Sequence, residues 1–166
     1  MKKKIVFIMN PISGTSSKAA VPSLIDSTLD KEQFEYEIKM TERPGHASEL
    51  AAEARDNHAD IVVAVGGDGT VNEVARSLVH SDSALGILPC GSGNGLARHL
   101  LLPMNLKKSI EIINACEIHD LDYGVINEYP FFCTCGMGFD AFVSMKFAES
   151  GKRGPISYAE NILREG

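Results

Sequence analysis

The sequence has no tryptophan, only 4 cysteines and no excess of positive charge. No apolar stretch approaches the roughly 18 residues that a membrane-crossing helix needs. The best candidate for a leader, residues 5–9 behind Lys2, Lys3 and Lys4, stops at Asn10-Pro11 and is too short for an apolar leader core. Cys90, Cys116, Cys133 and Cys135 form no CxxC pair and no disulfide-like spacing, and the histidines form no HExxH. A disulfide scaffold and a zinc site are therefore unsupported. Cys133 and Cys135 alternate in a strand-like run, which predicts reduced thiols on one face of a buried strand. Lys+Arg 16 against Asp+Glu 22 gives −6, so a broadly basic nucleic-acid surface is excluded. These absences together predict a globular cytoplasmic chain.

What is present fits a buried core. Hydrophobic residues make up 44% and charged residues 23% of 166 residues, which excludes disordered, collagen-like and coiled-coil chains. Residues 4–9 and 60–65 are continuous apolar runs, as in parallel strands covered on both faces. Phe34, Tyr36, Ile38 and Met40 alternate with polar residues, the strand period. Between these runs, Val21, Leu24, Ile25 and Thr28 recur at helical spacing, with Pro22 tolerable only in a first turn. Ala47, Leu50, Ala51 and Ala54 repeat the pattern, as do Val71, Val74, Ala75 and Leu78. Residues 85–88 predict a fourth strand, and 95–101 and 106–115 predict helices. Such βα units predict an α/β fold, a parallel sheet with helices on both faces. After Cys116 the pattern changes: 118–126 and 129–135 predict two strands joined at Asn127-Glu128, a hairpin. Residues 139–147 and 157–164 predict helices around the breaker at 151–155. The expected division is an α/β domain over 1–118 and an incomplete, β-rich second unit over 119–166.

The chemistry concentrates in glycine loops. Gly66-Gly67-Asp68-Gly69-Thr70 follows one predicted strand and opens a helix expected from Thr70. Glycines there let the backbone approach a ligand, and the helix start presents free N–H groups to phosphate. Asp68 would repel phosphate unless a cation stood between them, which makes it a candidate Mg²⁺ partner. Its alternative role is an ordinary helix cap. A second loop, Cys90-Gly91-Ser92-Gly93-Asn94-Gly95, follows the next strand, and adjacent parallel strands set such loops side by side. Ser92 and Asn94 are expected to donate to ligand oxygens or to cap a helix. A third loop is Asn10-Pro11-Ile12-Ser13-Gly14, with Lys18 beyond it. A P-loop, the third glycine of the dinucleotide fingerprint and a GxSxG elbow are all missing.

Gly66 to Thr70 running into Val71-Asn72-Glu73-Val74 resembles the signature of the diacylglycerol kinase catalytic domain. That superfamily also includes sphingosine kinases, bacterial lipid kinases and, more distantly, NAD kinases and phosphofructokinases. Asn10-Pro11 with Ser13-Gly14, Thr41 before Gly45-His46-Ala47, and Pro89 with Gly91-Ser92-Gly93-Asn94 and Ala97-Arg98 match the lipid-kinase branch in order. Asp122-Tyr123-Gly124 and Gly136 with Gly138-Phe139-Asp140-Ala141 extend the match. Bacterial lipid kinases commonly have Gly-Thr-Gly-Asn-Asp in this loop, whereas this chain has Ser92 and Gly95; the serine form looks more like the sphingosine-kinase variant. The resemblance implies an NAD kinase/phosphofructokinase-like nucleotide domain and transfer of the ATP γ-phosphoryl group to a lipid hydroxyl. It implies that Asn10, Pro11, Ile12, Ser13, Gly14, Thr41, Gly66, Gly67, Asp68, Gly69, Thr70, Val71, Asn72, Glu73, Gly91, Ser92 and Asn94 hold the nucleotide. Asp68 would organise Mg²⁺, and the general base would lie beyond Gly166, in a later β-sandwich. Expected partners are ATP and a lipid met peripherally at a membrane surface, not nucleic acid; a homo-oligomer is compatible with the sequence. The competing readings are a kinase of a soluble acceptor such as NAD and a non-catalytic nucleotide-binding module.

Overall fold

The structure is a computed structural model that describes residues 1–12 and 18–136, together with 138, 141, 142 and 145. Strands β1 (Lys3–Met9), β2 (Phe34–Met40), β3 (Ile61–Gly66) and β4 (Ala84–Pro89) form a parallel sheet in the order β2-β1-β3-β4. The interleaved helices are α1 (Val21–Thr28), α2 (His46–Asp56), α3 (Asp68–Leu78), α4 (Gly95–His99) and α5 (Leu106–Ala115). Register is set by the apolar central strands, with Ile5 opposite Ile61 and Met9 opposite Val65.

Because side chains alternate along a strand, β1 and β3 feed two separate cores. Val6, Ile8, Val62 and Ala64 face α2 and α3 through Ala47, Ala51, Val71 and Val74. Ile5, Phe7, Val63 and Val65 face α1 and α5 through Val21, Ile25, Ile110 and Ile113. The chain leaves β1 toward β2 on one side and later returns to place β3 on the other. That reversal is a topological switch point, where open α/β sheets form a crevice beyond the strands' carboxyl ends. Pro22 lies in the first turn of α1, where its missing N–H is harmless.

The structure differs from the sequence-based expectations in three places. Helix α3 begins at Asp68 and not at Thr70. The hairpin is far shorter than expected: β5 (Gly124–Ile126) pairs antiparallel with β6 (Tyr129–Phe131). Its turn is as predicted, with φ 45° at Asn127 and 70° at Glu128, the left-handed pair of a tight hairpin. Residues 118–123 are not strand, and Cys133 and Cys135 are exposed and outside any strand. Alternation reports which residues share a face, not whether anything covers that face. The predicted helix 139–147 lies mostly, and 157–164 wholly, outside the described residues; Ala141 and Phe142 are helical. Among the described residues no helix is long and apolar enough to cross a membrane.

Candidate functional site

The loops after β1, β3 and β4 converge at the carboxyl edge of the sheet. Asn10 follows β1 directly, its N–H donating to Val65 O at 3.1 Å. Its Oδ1 accepts from Ile12 N at 3.1 Å, a local turn that side-chain amides form readily. Pro11 and Ile12 are exposed, and Ser13 and Gly14 lie outside the described residues. Thr41, just past β2, is buried and donates its N–H to Met9 O at 2.9 Å. Lys18 Nζ donates to Asn10 O at 2.6 Å. That lysine is only 6% exposed, and burial pushes its ammonium pKa down, against the pull of the nearby Cys90.

Cys90 is half-buried, and burial pushes its thiol pKa up, with Lys18 opposing. Thiolate is the reactive form. Under mildly alkaline alkylation, Cys133 and Cys135 are expected to be labelled well before Cys90, as read by peptide mass mapping. Equal labelling would contradict the burial at Cys90.

The two glycine loops after β3 and β4 touch. Cys90 N donates to Gly66 O at 2.8 Å. A Cβ placed on Gly67 would lie 3.1 Å from Gly91 Cα, and one on Gly91 would lie 2.5 Å from Gly67 Cα. Glycine at both positions is a condition of this approach. Thr70 turns its side chain back against Gly66, and Val71 enters the core, so any ligand contact by these two is through backbone. Gly69 is exposed and Asn72 half-buried.

The signature carboxylates have partners that no pattern within their own segment discloses. Asp68 does not cap its own helix; the N-cap of α3 is Gly67, with no side-chain cap. Instead Asp68 Oδ2 accepts from Asn94 N at 2.9 Å and Oδ1 from Gly95 N at 2.6 Å, so it caps α4 across the loops. Glu73 behaves alike toward α2: Oε1 accepts from Gly45 N and Oε2 from Ala47 N, both at 3.2 Å. Neither α2 nor α4 has a side-chain cap from its own N-cap residue. Each helix start leaves orphan N–H groups, and an ionised carboxylate there also complements the helix dipole. One segment of α3 thereby ties down two neighbouring helices.

Asn94 corrects a second expectation. It is 7% exposed, and its Oδ1 accepts from Gly91 N at 2.8 Å while Nδ2 donates to Gly91 O at 2.7 Å. Its amide closes the loop, and its side chain does not cap α4. Ser92 remains exposed at the loop. Among the described residues no three His, Cys, Asp or Glu side chains gather into a cation site. Asp68 nevertheless suits a cation held through water, because each carboxylate oxygen retains a lone pair beyond its single N–H bond. A cavity of about 980 Å³ runs beside β4, past Leu85, Ile87, Leu102 and Ile113. None of the glycine-loop residues lines it.

A family model described as the diacylglycerol kinase catalytic domain matches residues 4–126. The chain belongs to that family. It is 32% identical over 163 residues to a diacylglycerol kinase of Staphylococcus saprophyticus, covering 95% of this chain and 53% of that protein. A diacylglycerol kinase of Staphylococcus epidermidis is 31% identical over 163 residues, covering 95% of this chain and 51% of that one. A crystal structure of a diacylglycerol kinase from Bacillus anthracis superposes with a TM-score of 0.67, over 78% of this chain and 48% of that one. At 24% identity that likeness is one of fold. The chain spans about half the length of the curated relatives it matches. Within this diacylglycerol kinase-type domain, the matched segment holds all three glycine loops and the parallel sheet except Lys3, the first residue of β1.

Proposed function

We propose that this chain is the nucleotide-holding half of an ATP-dependent lipid kinase, which transfers the γ-phosphoryl group to a lipid hydroxyl of the diacylglycerol or sphingosine kind. The observation that carries this reading is the meeting of glycine loops from β3 and β4 beside the β1 loop, at the switch point of a parallel sheet. Open backbone of this kind accepts phosphates where side chains would obstruct them.

Asn10, Pro11, Ile12, Ser13, Gly14 and Thr41 would hold one side of the nucleotide. The backbone of Gly66, Gly67, Gly69, Thr70, Val71, Asn72 and Gly91, with Ser92, would hold the other. Asp68, Glu73 and Asn94 serve by fixing these loops. Mg²⁺, when bound, neutralises charge on the β- and γ-phosphates, and Asp68 would steady it through water. In the transfer the bond from the γ-phosphorus to its bridging oxygen breaks, the lipid oxygen bonds to phosphorus, and the hydroxyl proton passes to a base. Asp68 and Glu73 have both oxygens engaged by backbone N–H groups. Neither is therefore free to serve as that base, and we place it beyond Gly166, in the part of the relatives' length that this chain does not span. The acceptor would be met at the cytoplasmic face of a membrane, with clusters such as Lys107-Lys108 making peripheral contact.

The 166-residue chain is expected to bind Mg·ATP or Mg·ADP and to phosphorylate neither diacylglycerol nor sphingosine. Calorimetry, or a rise in melting temperature with millimolar nucleotide, tests the first part, and a radiolabel transfer assay tests the second. A folded sample that ignores nucleotide would overturn the site. Robust transfer would overturn the placement of the base.

A further inference from the structure

Arg98 is the one charged residue of the second loop motif that the preceding reading does not use. It lies on α4, one turn past Gly95. Helical side chains lean back toward the helix N-terminus. Its guanidinium accordingly reaches over the second glycine loop, where Nε donates to Gly93 O at 2.8 Å. That bond fixes one edge of the planar group. The guanidinium has five N–H donors, so four stay available at the Nη end. Among the described residues Arg98 is exposed and belongs to no ion pair. Among the described residues, the cations just past β1 and β2 are committed. Arg43 grips Glu49 with bonds of 2.8 and 2.6 Å, and Lys18 is buried against Asn10 O.

The position is central to the site. Gly93 packs against the first loop so closely that a Cβ on it would stand 2.7 Å from Asp68 Oδ2. Arg98 is therefore anchored on the second loop one residue from the Asp68 clamp. A nucleoside triphosphate brought to this edge carries several negative charges into a neighbourhood that already holds the Asp68 carboxylate. Backbone dipoles offset part of that charge; a guanidinium fork matches two phosphate oxygens at once.

We infer that Arg98 binds the terminal phosphates of the nucleotide through its Nη donors, with the Gly93 carbonyl holding it in place, and so selects di- and triphosphates over shorter ligands. This rests on the nucleotide reading above. The test is calorimetry of the 166-residue chain with ATP, ADP, AMP and adenosine in Mg²⁺, for wild type, Arg98→Gln and Arg98→Lys. Glutamine keeps an amide donor for Gly93 O and removes the charge; lysine keeps the charge and loses the fork. Arg98→Gln is expected to weaken ATP about 10-fold or more, the scale of a lost charge-assisted contact. ADP should weaken nearly as much, adenosine should bind as in wild type, and Arg98→Lys should recover part of the ATP affinity. Equal weakening of ATP and adenosine would overturn the phosphate contact and leave Arg98 a loop brace. Unchanged ATP affinity in a folded Arg98→Gln chain would overturn it outright. Wild type that binds no nucleotide at all would sink the underlying reading, and the arginine's role with it.

Discussion

Gly91→Ala is expected to remove nucleotide binding, because a single methyl group cannot enter the seam between the two glycine loops. The new Cβ would stand 2.5 Å from Gly67 Cα and 2.8 Å from Asn94 Oδ1, distances that real Cβ atoms do not adopt. Relief by side-chain rotation is unavailable, since the nearest atom is backbone. One loop must move, yet both are tied, by Cys90 N to Gly66 O at 2.8 Å and by the Asn94 amide to Gly91. Forcing extra volume into such packing costs about 1–3 kcal/mol. In a domain of this size that corresponds to a fall in melting temperature of roughly 2–12 °C. The core strands are untouched, so the chain should still fold cooperatively while ATP affinity falls by at least about tenfold, the loss of about 1.4 kcal/mol of phosphate contact. Gly69→Ala is the matched control: nothing lies within 4 Å of its added Cβ, and its stability should stay near wild type. Circular dichroism melts and calorimetry on both variants decide the matter. Wild-type ATP binding by Gly91→Ala would mean that the loops need not touch in the bound state.

Asp68→Asn should cost stability as well as ligand affinity. As the cap of its own helix, Asp68 would be replaced by asparagine almost without penalty. The structure makes it a clamp instead, with one oxygen on Asn94 N and the other on Gly95 N. Asparagine offers a single oxygen and must turn an NH₂ group toward the second N–H. Losing a charge-assisted bond and opposing two donors is worth about 1–3 kcal/mol. A melting temperature equal to wild type would remove the clamp. The metal role is read separately, from ATP affinity with and without Mg²⁺. A clamp alone lowers both affinities by one factor, whereas a carboxylate that also steadies Mg²⁺ lowers the Mg²⁺-dependent gain. An undiminished gain in Asp68→Asn would leave Asp68 as architecture only.

Much of this architecture is legible in one dimension because it depends on contacts close in sequence or on periodicity. The apolar run of β1, buried from Ile5 to Met9, announces a strand covered on both faces. Helix α5 falls where its apolar spacing predicts, and Asn105 caps it by accepting from Lys108 N. The turn at Asn127-Glu128 is local chemistry too. The family is equally legible, since the glycines that carry the resemblance, Gly66, Gly67, Gly69 and Gly91, stand in the sequence itself.

The failures are equally physical. Cys133 and Cys135 have the alternation of a buried strand, but burial depends on a covering layer, and both are exposed. The 118–126 run contains strand only at Gly124–Ile126, where β6 supplies hydrogen bonds. Asn94 reads as a helix cap as readily as a ligand donor, but its side chain caps nothing and bonds Gly91 of its own loop, a partner that composition does not assign.

By itself the sequence determined the alternation of strands and helices, the parallel sheet, the three glycine loops and the family, all consequences of local periodicity and of where glycine is required. Tertiary structure alone decided what the carboxylates do. Asp68 and Glu73 are close in the chain but cap two different helices, whose first N–H groups lie 26 and 28 residues away in sequence. An orphan N–H at a helix start can be satisfied by any carboxylate that folding brings within hydrogen-bond reach. Which one arrives is set by the order of strands in the sheet, and not by the residues on either side.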